Sequence, residues 1–117
     1  MFISISKNFE FLNVYHHGKS YANRYLVMYI LKNGSSNSSS NNRYGITVSK
    51  KVGNSVVRHR VTRLIRESIR LNEEKFARGY DIVIIARNTA KGKKYSDIAS
   101  AFLHLGKMHK ILRDDQL

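Results

Sequence analysis

The chain has 117 residues, room for one compact domain over residues 1–117 and not for two. Its 42% hydrophobic and 25% charged content suit a globular chain, yet Lys and Arg number 21 against 8 for Asp and Glu, a net charge of +13. Self-repulsion of that size points to a polyanionic partner, nucleic acid first and an anionic membrane surface second. No stretch approaches the roughly 18 apolar residues that cross a bilayer, and "MFISISKNFEF" lacks the basic region of a secretory signal. With no cysteine there is no disulfide framework and no thiolate metal site, which suits a reducing cytoplasm.

Residues 7–17 carry apolar side chains at helical spacing, with Phe11 and Tyr15 four apart on one face. A first helix is expected there, ending at Gly18 in a left-handed cap. "YLVMYILK", residues 25–32, is rich in β-branched and aromatic residues and reads as a strand. The polar tract "NGSSNSSSNN" that follows has too little apolar surface to offset its ordering entropy, so residues 33–43 are expected to form a flexible loop, with room for one extra short strand beside it. "YGITVS", residues 44–49, puts Tyr44, Ile46 and Val48 on one side of a second strand. Asn54 or Ser55 can then cap a long helix over residues 56–74. "DIVIIAR", residues 81–87, reads as a strand buried on both faces, and residues 96–112 as a last helix with Ala101, Leu105, Met108 and Leu112 in one stripe. The order α-β-β-α-β-α argues for an α+β fold, an α/β sandwich in which helices pack on a small sheet.

The long helix carries the strongest chemical signal. At about 100° per residue, Val57, Val61, Leu64, Ser68 and Leu71 fall on one side and are expected to face the core. His59, Arg63, Arg66 and Arg70 fall on another, with Arg60 at its edge and Arg58 beyond the far edge of the apolar stripe. Like charges one turn apart cost an isolated helix about 0.2–0.5 kcal/mol per pair, and Glu67 offsets only part of this. Folding alone therefore gives little reason for the ridge. A phosphate backbone gives one, because guanidinium forks match phosphate oxygens and displace condensed counterions. Lys50 and Lys51 extend the patch toward the helix N-terminus, where backbone N–H groups also attract anions. The plainer alternative is a solvated face that keeps the chain soluble.

"TVSKKVGNSVVRHRVTRLIRES" resembles the signature "SVSKKxGNAVxRNRxKRxxRE" of the protein subunit of bacterial ribonuclease P. "FEFLNVYHHGKSYANRYLVMY" and "DIVIIARNTA" are similar to the same family, so the likeness spans residues 9–112 apart from the loop. The resemblance implies an α/β sandwich with a left-handed βαβ crossover, an exception to the usual right-handed rule. It implies a protein that binds ribonuclease P RNA and precursor tRNA and assists removal of the 5′ leader, while the RNA subunit with bound Mg²⁺ performs the hydrolysis. On that basis Lys50, Lys51, Asn54, Arg58, His59, Arg60, Arg63, Arg66 and Arg70 would meet the RNA subunit. Phe11, Tyr15 and Tyr29 would hold the single-stranded leader by stacking, a sequence-tolerant mode. For Phe11 a plain core role is an open alternative, whereas the polar tips of Tyr15 and Tyr29 favour the cleft. His59 stands where the family usually has Asn, and Thr62 where it often has a cation.

Other patterns carry less. "HHGKS" ends like a phosphate loop, but Asn13 occupies the required first glycine and a helix precedes it. His16 and His17 are adjacent and cannot face one metal from a helix. The acidic residues are scattered, so no two-metal nuclease site is expected; Asp81 opens its strand and could reach toward the basic ridge, with a capping or solvent role as the default. Two rival readings stay in play: a generic ribosomal or tRNA-binding module, and a self-sufficient nuclease.

Overall fold

The computed structural model describes residues 2–33 and 41–113; the expected mobile loop falls largely on residues 34–40, outside the described residues. Along the chain come β1 (Ile3–Ser4), α1 (Asn8–His17), β2 (Lys19–Ala22), β3 (Leu26–Lys32), β4 (Arg43–Thr47), α2 (Ser55–Asn72), β5 (Tyr80–Ala86) and α3 (Tyr95–Met108). Short 3₁₀ turns, Glu73–Lys75 and Asn88–Ala90, flank β5. The strands form one mixed sheet in the order β1-β4-β5-β3-β2, with β1·β4 and β4·β5 parallel and the other pairs antiparallel. β4–α2–β5 is thus the βαβ crossover, and the α+β sandwich stands.

Strand alternation sorts the core into two unequal layers. Leu26 and Met28 of β3, Tyr44 of β4 and Ile82 and Ile84 of β5 point to the face covered by α2 and α3, where they meet Val61, Ile65, Phe102 and Leu105. Their in-between neighbours Tyr29, Gly45 and Val83 point to the other face, which α1 covers alone through Val14.

Two strands, β1 and β2, add to the expected order. β2 reads "KSYA", with no apolar run, and exists because it pairs with β3 through an Asx turn: Asn23 Oδ1 accepts from the Tyr25 and Leu26 amides at 3.3 and 3.1 Å. Gly18 is not a left-handed cap. Its φ is −86°, and glycine is needed there because a Cβ would lie 2.5 Å from the Val14 carbonyl oxygen and 2.6 Å from that of Ile30. The buried side of α2 is Val61, Ile65, Ser68, Ile69 and Asn72, whereas Leu71 is 49% exposed; the core stripe is rotated toward Ile65 and Ile69 from the one expected. α3 stops at Met108 rather than Leu112, because Lys110 adopts φ 60° and the Ile111 and Lys110 amides return to the Gly106 and Lys107 carbonyls at 3.1 and 2.9 Å. That is a Schellman end with lysine where glycine is usual.

Candidate nucleic-acid interface

Asn54 caps α2, its Oδ1 accepting the Val57 amide at 3.0 Å, and the following turns set the basic side chains. His59, Arg60, Arg63, Arg66 and Arg70 are exposed, and Arg58 is half-buried. Lys50 and Lys51 stand exposed on the preceding turn, which buried Val52 anchors. Between α2 and β4 runs an open groove of about 820 Å³, with Ile46 and Val48 as an apolar floor and Arg58, His59, Arg63 and Arg66 along its wall.

The cations are not equally free. Arg70 pairs with Glu67 at 2.8 Å, and the bond holds the Glu67 carboxyl below the usual carboxylate range. Arg60 donates to the Lys93 carbonyl at 2.9 Å. Among the described residues neither Arg63 nor Arg66 makes an ion pair, so both forks are open to phosphate oxygens. Thr62 donates its hydroxyl to the Arg58 carbonyl at 2.8 Å and adds no charge to the wall.

A second surface lies between α1 and the sheet. Phe11, Tyr15 and Tyr29 are all partly buried; ring centroids of Phe11 and Tyr15 lie 6.4 Å apart, and those of Tyr15 and Tyr29 lie 5.0 Å apart at 70°. The Phe11 ring rests against Gly45, where a Cβ would come within 2.6 Å of it. The Tyr15 hydroxyl is 3.3 Å from Thr47 Oγ1. These three residues therefore form one aromatic row packed on Ile5, Val14 and Val83.

Sequence reasoning missed what holds α1 there. Arg43 binds both carboxylate oxygens of Asp81, at 3.0 and 2.7 Å, and its remaining nitrogen bonds Glu10 of α1. Asp81 is only 4% exposed, so the expected capping or solvent role is corrected: it anchors an arginine that joins α1, β4 and β5. That arginine's hydrogen bond holds the Glu10 carboxyl below its ordinary value. Arg43 and Asp81 are 38 positions apart, and only the parallel register of β4 and β5 brings them opposite each other.

Among the described residues no three His, Cys, Asp or Glu side chains gather to hold a metal, and Glu10 and Asp81 are committed to Arg43.

These features define a class: a small, strongly basic α/β sandwich with an arginine-walled groove on one face and an aromatic row on the other. Residues 2–110 match the family model described as Ribonuclease P. The chain is 58% identical over 113 residues to the "Ribonuclease P protein component" of Lachnoclostridium phytofermentans, covering 97% of this chain and 94% of that one. It is 51% identical over 108 residues to the same-named protein of Alkaliphilus oremlandii, covering 92% and 91%. Among solved structures it resembles the RNase P protein of Staphylococcus aureus, with TM-score 0.83, 34% identity and coverage of 97% and 100%. It also resembles that of Thermotoga maritima, with TM-score 0.75, 31% identity and coverage of 85% and 90%. The chain belongs to the ribonuclease P protein family, which ties it to an endoribonuclease holoenzyme of tRNA processing and to an RNA partner.

Proposed function

We propose that this chain is the protein subunit of ribonuclease P, working in the cytoplasm, and that it docks on the catalytic RNA through the α2 groove. The observation that carries this is the two-sidedness of α2. Val61, Ile65 and Ile69 are fully buried, while Arg63 and Arg66 on the opposite side have no carboxylate partner among the described residues. Lys50, Lys51, Asn54, Arg58, His59 and Arg60 surround them and complete the contact surface, and Arg70 reaches it by exchanging Glu67 for phosphate. Each neutralised phosphate releases counterions, so affinity falls with salt. The aromatic row of Phe11, Tyr15 and Tyr29 receives unpaired bases of the precursor tRNA 5′ leader, since every base offers a π face. On this reading the RNA subunit, with bound Mg²⁺, performs the phosphodiester hydrolysis and this chain positions the substrate.

Reconstitution tests this. The purified protein is mixed with ribonuclease P RNA at low Mg²⁺ and leader release is followed. Stimulated cleavage is expected; no stimulation, with similar affinity for unrelated structured RNAs, would make the chain a generic RNA-binding module. Cleavage by the protein without RNA would make it a nuclease in its own right.

A further inference from the structure

The connection from β5 to α3, "RNTAKGKK", places Arg87, Lys91, Lys93 and Lys94 within eight residues. It is stitched to the β2–β3 turn: Arg87 donates to the Asn23 carbonyl at 2.6 Å and Thr89 to the Arg24 carbonyl. It is also tied to α2, since Arg60 binds the Lys93 carbonyl. These bonds use backbone acceptors and leave the lysine side chains of the turn unspent.

They are brought against other cations. Lys93 Nζ lies 5.5 Å from the centroid of the Tyr25 ring, and the Arg24 guanidinium carbon lies 5.7 Å from the same centroid. Holding two like charges near one ring offsets part of the attraction each gains from it. None of Arg24, Lys91, Lys93 and Lys94 makes an ion pair among the described residues. Asp97, the nearby acid, already accepts the Lys94 amide at 3.1 Å.

Beside the turn lies an open depression of about 580 Å³, lined by Arg24, Tyr25, Ser96, Asp97, Ser100 and His104. Its groups are mostly donors. The Asn23 amide nitrogen lies 3.2 Å from His104 Nδ1 and can only donate to it, which leaves the ring N–H on Nε2. Two hydroxyls, an imidazole N–H and a guanidinium line the hollow, with Asp97 as its one carboxylate and the Lys93 ammonium against the Tyr25 ring at its edge; this mostly donor set matches the oxygens of a phosphodiester better than an apolar ligand.

We propose that this hollow and its lysine turn are a second docking surface for an RNA phosphate backbone, continuous with the α2 groove through Arg60. Its occupant is the RNA subunit, because Arg60 lines the α2 groove and bonds the Lys93 carbonyl of the turn, which sets the two surfaces side by side. The inference rests on the RNA-binding reading of α2 and extends it around the molecule.

The test uses the intact chain and ribonuclease P RNA, with dissociation constants measured across a range of monovalent salt. Lys91→Ala/Lys93→Ala should flatten the log–log salt slope by about two, and Arg24→Gln by about one. Lys91→Arg/Lys93→Arg should keep the wild-type slope, separating charge from fold, and thermal melts should match. An unchanged slope for Lys91→Ala/Lys93→Ala, where Arg63→Ala/Arg66→Ala does flatten it, overturns this surface and leaves the α2 reading standing. Unchanged slopes for both pairs overturn both. A loss seen only in precursor binding to the preassembled holoenzyme overturns the choice of occupant.

Discussion

At Gly18 two carbonyl oxygens, those of Val14 and Ile30, converge on the space a Cβ would fill. Neither can retreat without lengthening a backbone hydrogen bond, because the Gly18 amide bonds Val14 at 2.8 Å and Ile30 sits in the β2–β3 ladder. Gly18→Ala should therefore destabilise the domain by about 1–3 kcal/mol, read as a lowered denaturation midpoint. That a glycine ends α1 is legible in the sequence; why it must be glycine is not, since the reason lies in a strand twelve positions on. Arg43 teaches the same lesson. Its Glu10 partner has a folded carboxyl pKa below its ordinary 4.5, chiefly through the hydrogen bond from Arg43. In that window the unfolded chain binds more protons, so this stabilisation is complete above pH 4.5 and disappears as pH falls through the lowered value. Melts from neutral pH to about pH 3 should show wild type losing stability more steeply on acidification than Glu10→Gln; parallel curves would remove Glu10 from the account.

α2 shows how far periodicity reads an element. The spacing of its apolar residues separates a core side from a cationic side, and the cationic side is exposed as expected. The core side is misplaced by part of a turn: Ile65 and Ile69 are fully buried, while Leu71, two residues past Ile69, is half-exposed. Polar Ser68, on the expected core side, and Asn72, which the pattern misses, are buried with each bonding the carbonyl four residues back, at 2.8 Å in both cases. Arg63→Ala and Arg66→Ala should each lower the salt slope of RNA binding by about one without changing the melting temperature, measured by titration against ribonuclease P RNA. For α1, the row of Phe11, Tyr15 and Tyr29 makes a different prediction. Tyr29→Leu keeps apolar bulk but removes the stacking face, so affinity for leader-bearing precursor should fall about tenfold while mature tRNA binds as before. Equal losses for both RNAs would place Tyr29 in the core instead.

At the scale of the molecule, the sequence announces the apolar strands β3, β4 and β5 and the helices, so the sandwich class is legible. The sheet order is not, because β1 and β2 are short polar edge strands whose partners are chosen by tertiary pairing. The end of α3 is hidden for a local reason: lysine, not glycine, takes the left-handed position at residue 110. Of the candidate features, the arginine helix is visible as a charge pattern on one element. The Arg43 bridge and the hollow at Tyr25 are assembled from distant segments and exist only after folding.

The lopsided core has a further outcome. Among the described residues, seventeen buried residues knit α2 and α3 to one side of the sheet, against three, Ile5, Val14 and Val83, on the α1 side. Opening that helix exposes far less apolar surface than global unfolding, so it should open and reclose on its own. In native-state hydrogen exchange, amides of α1 should trade with deuterium well ahead of those in β3 and β5. The same lid would then admit a flexible polynucleotide strand at small thermodynamic expense while the remainder of the protein stays rigid.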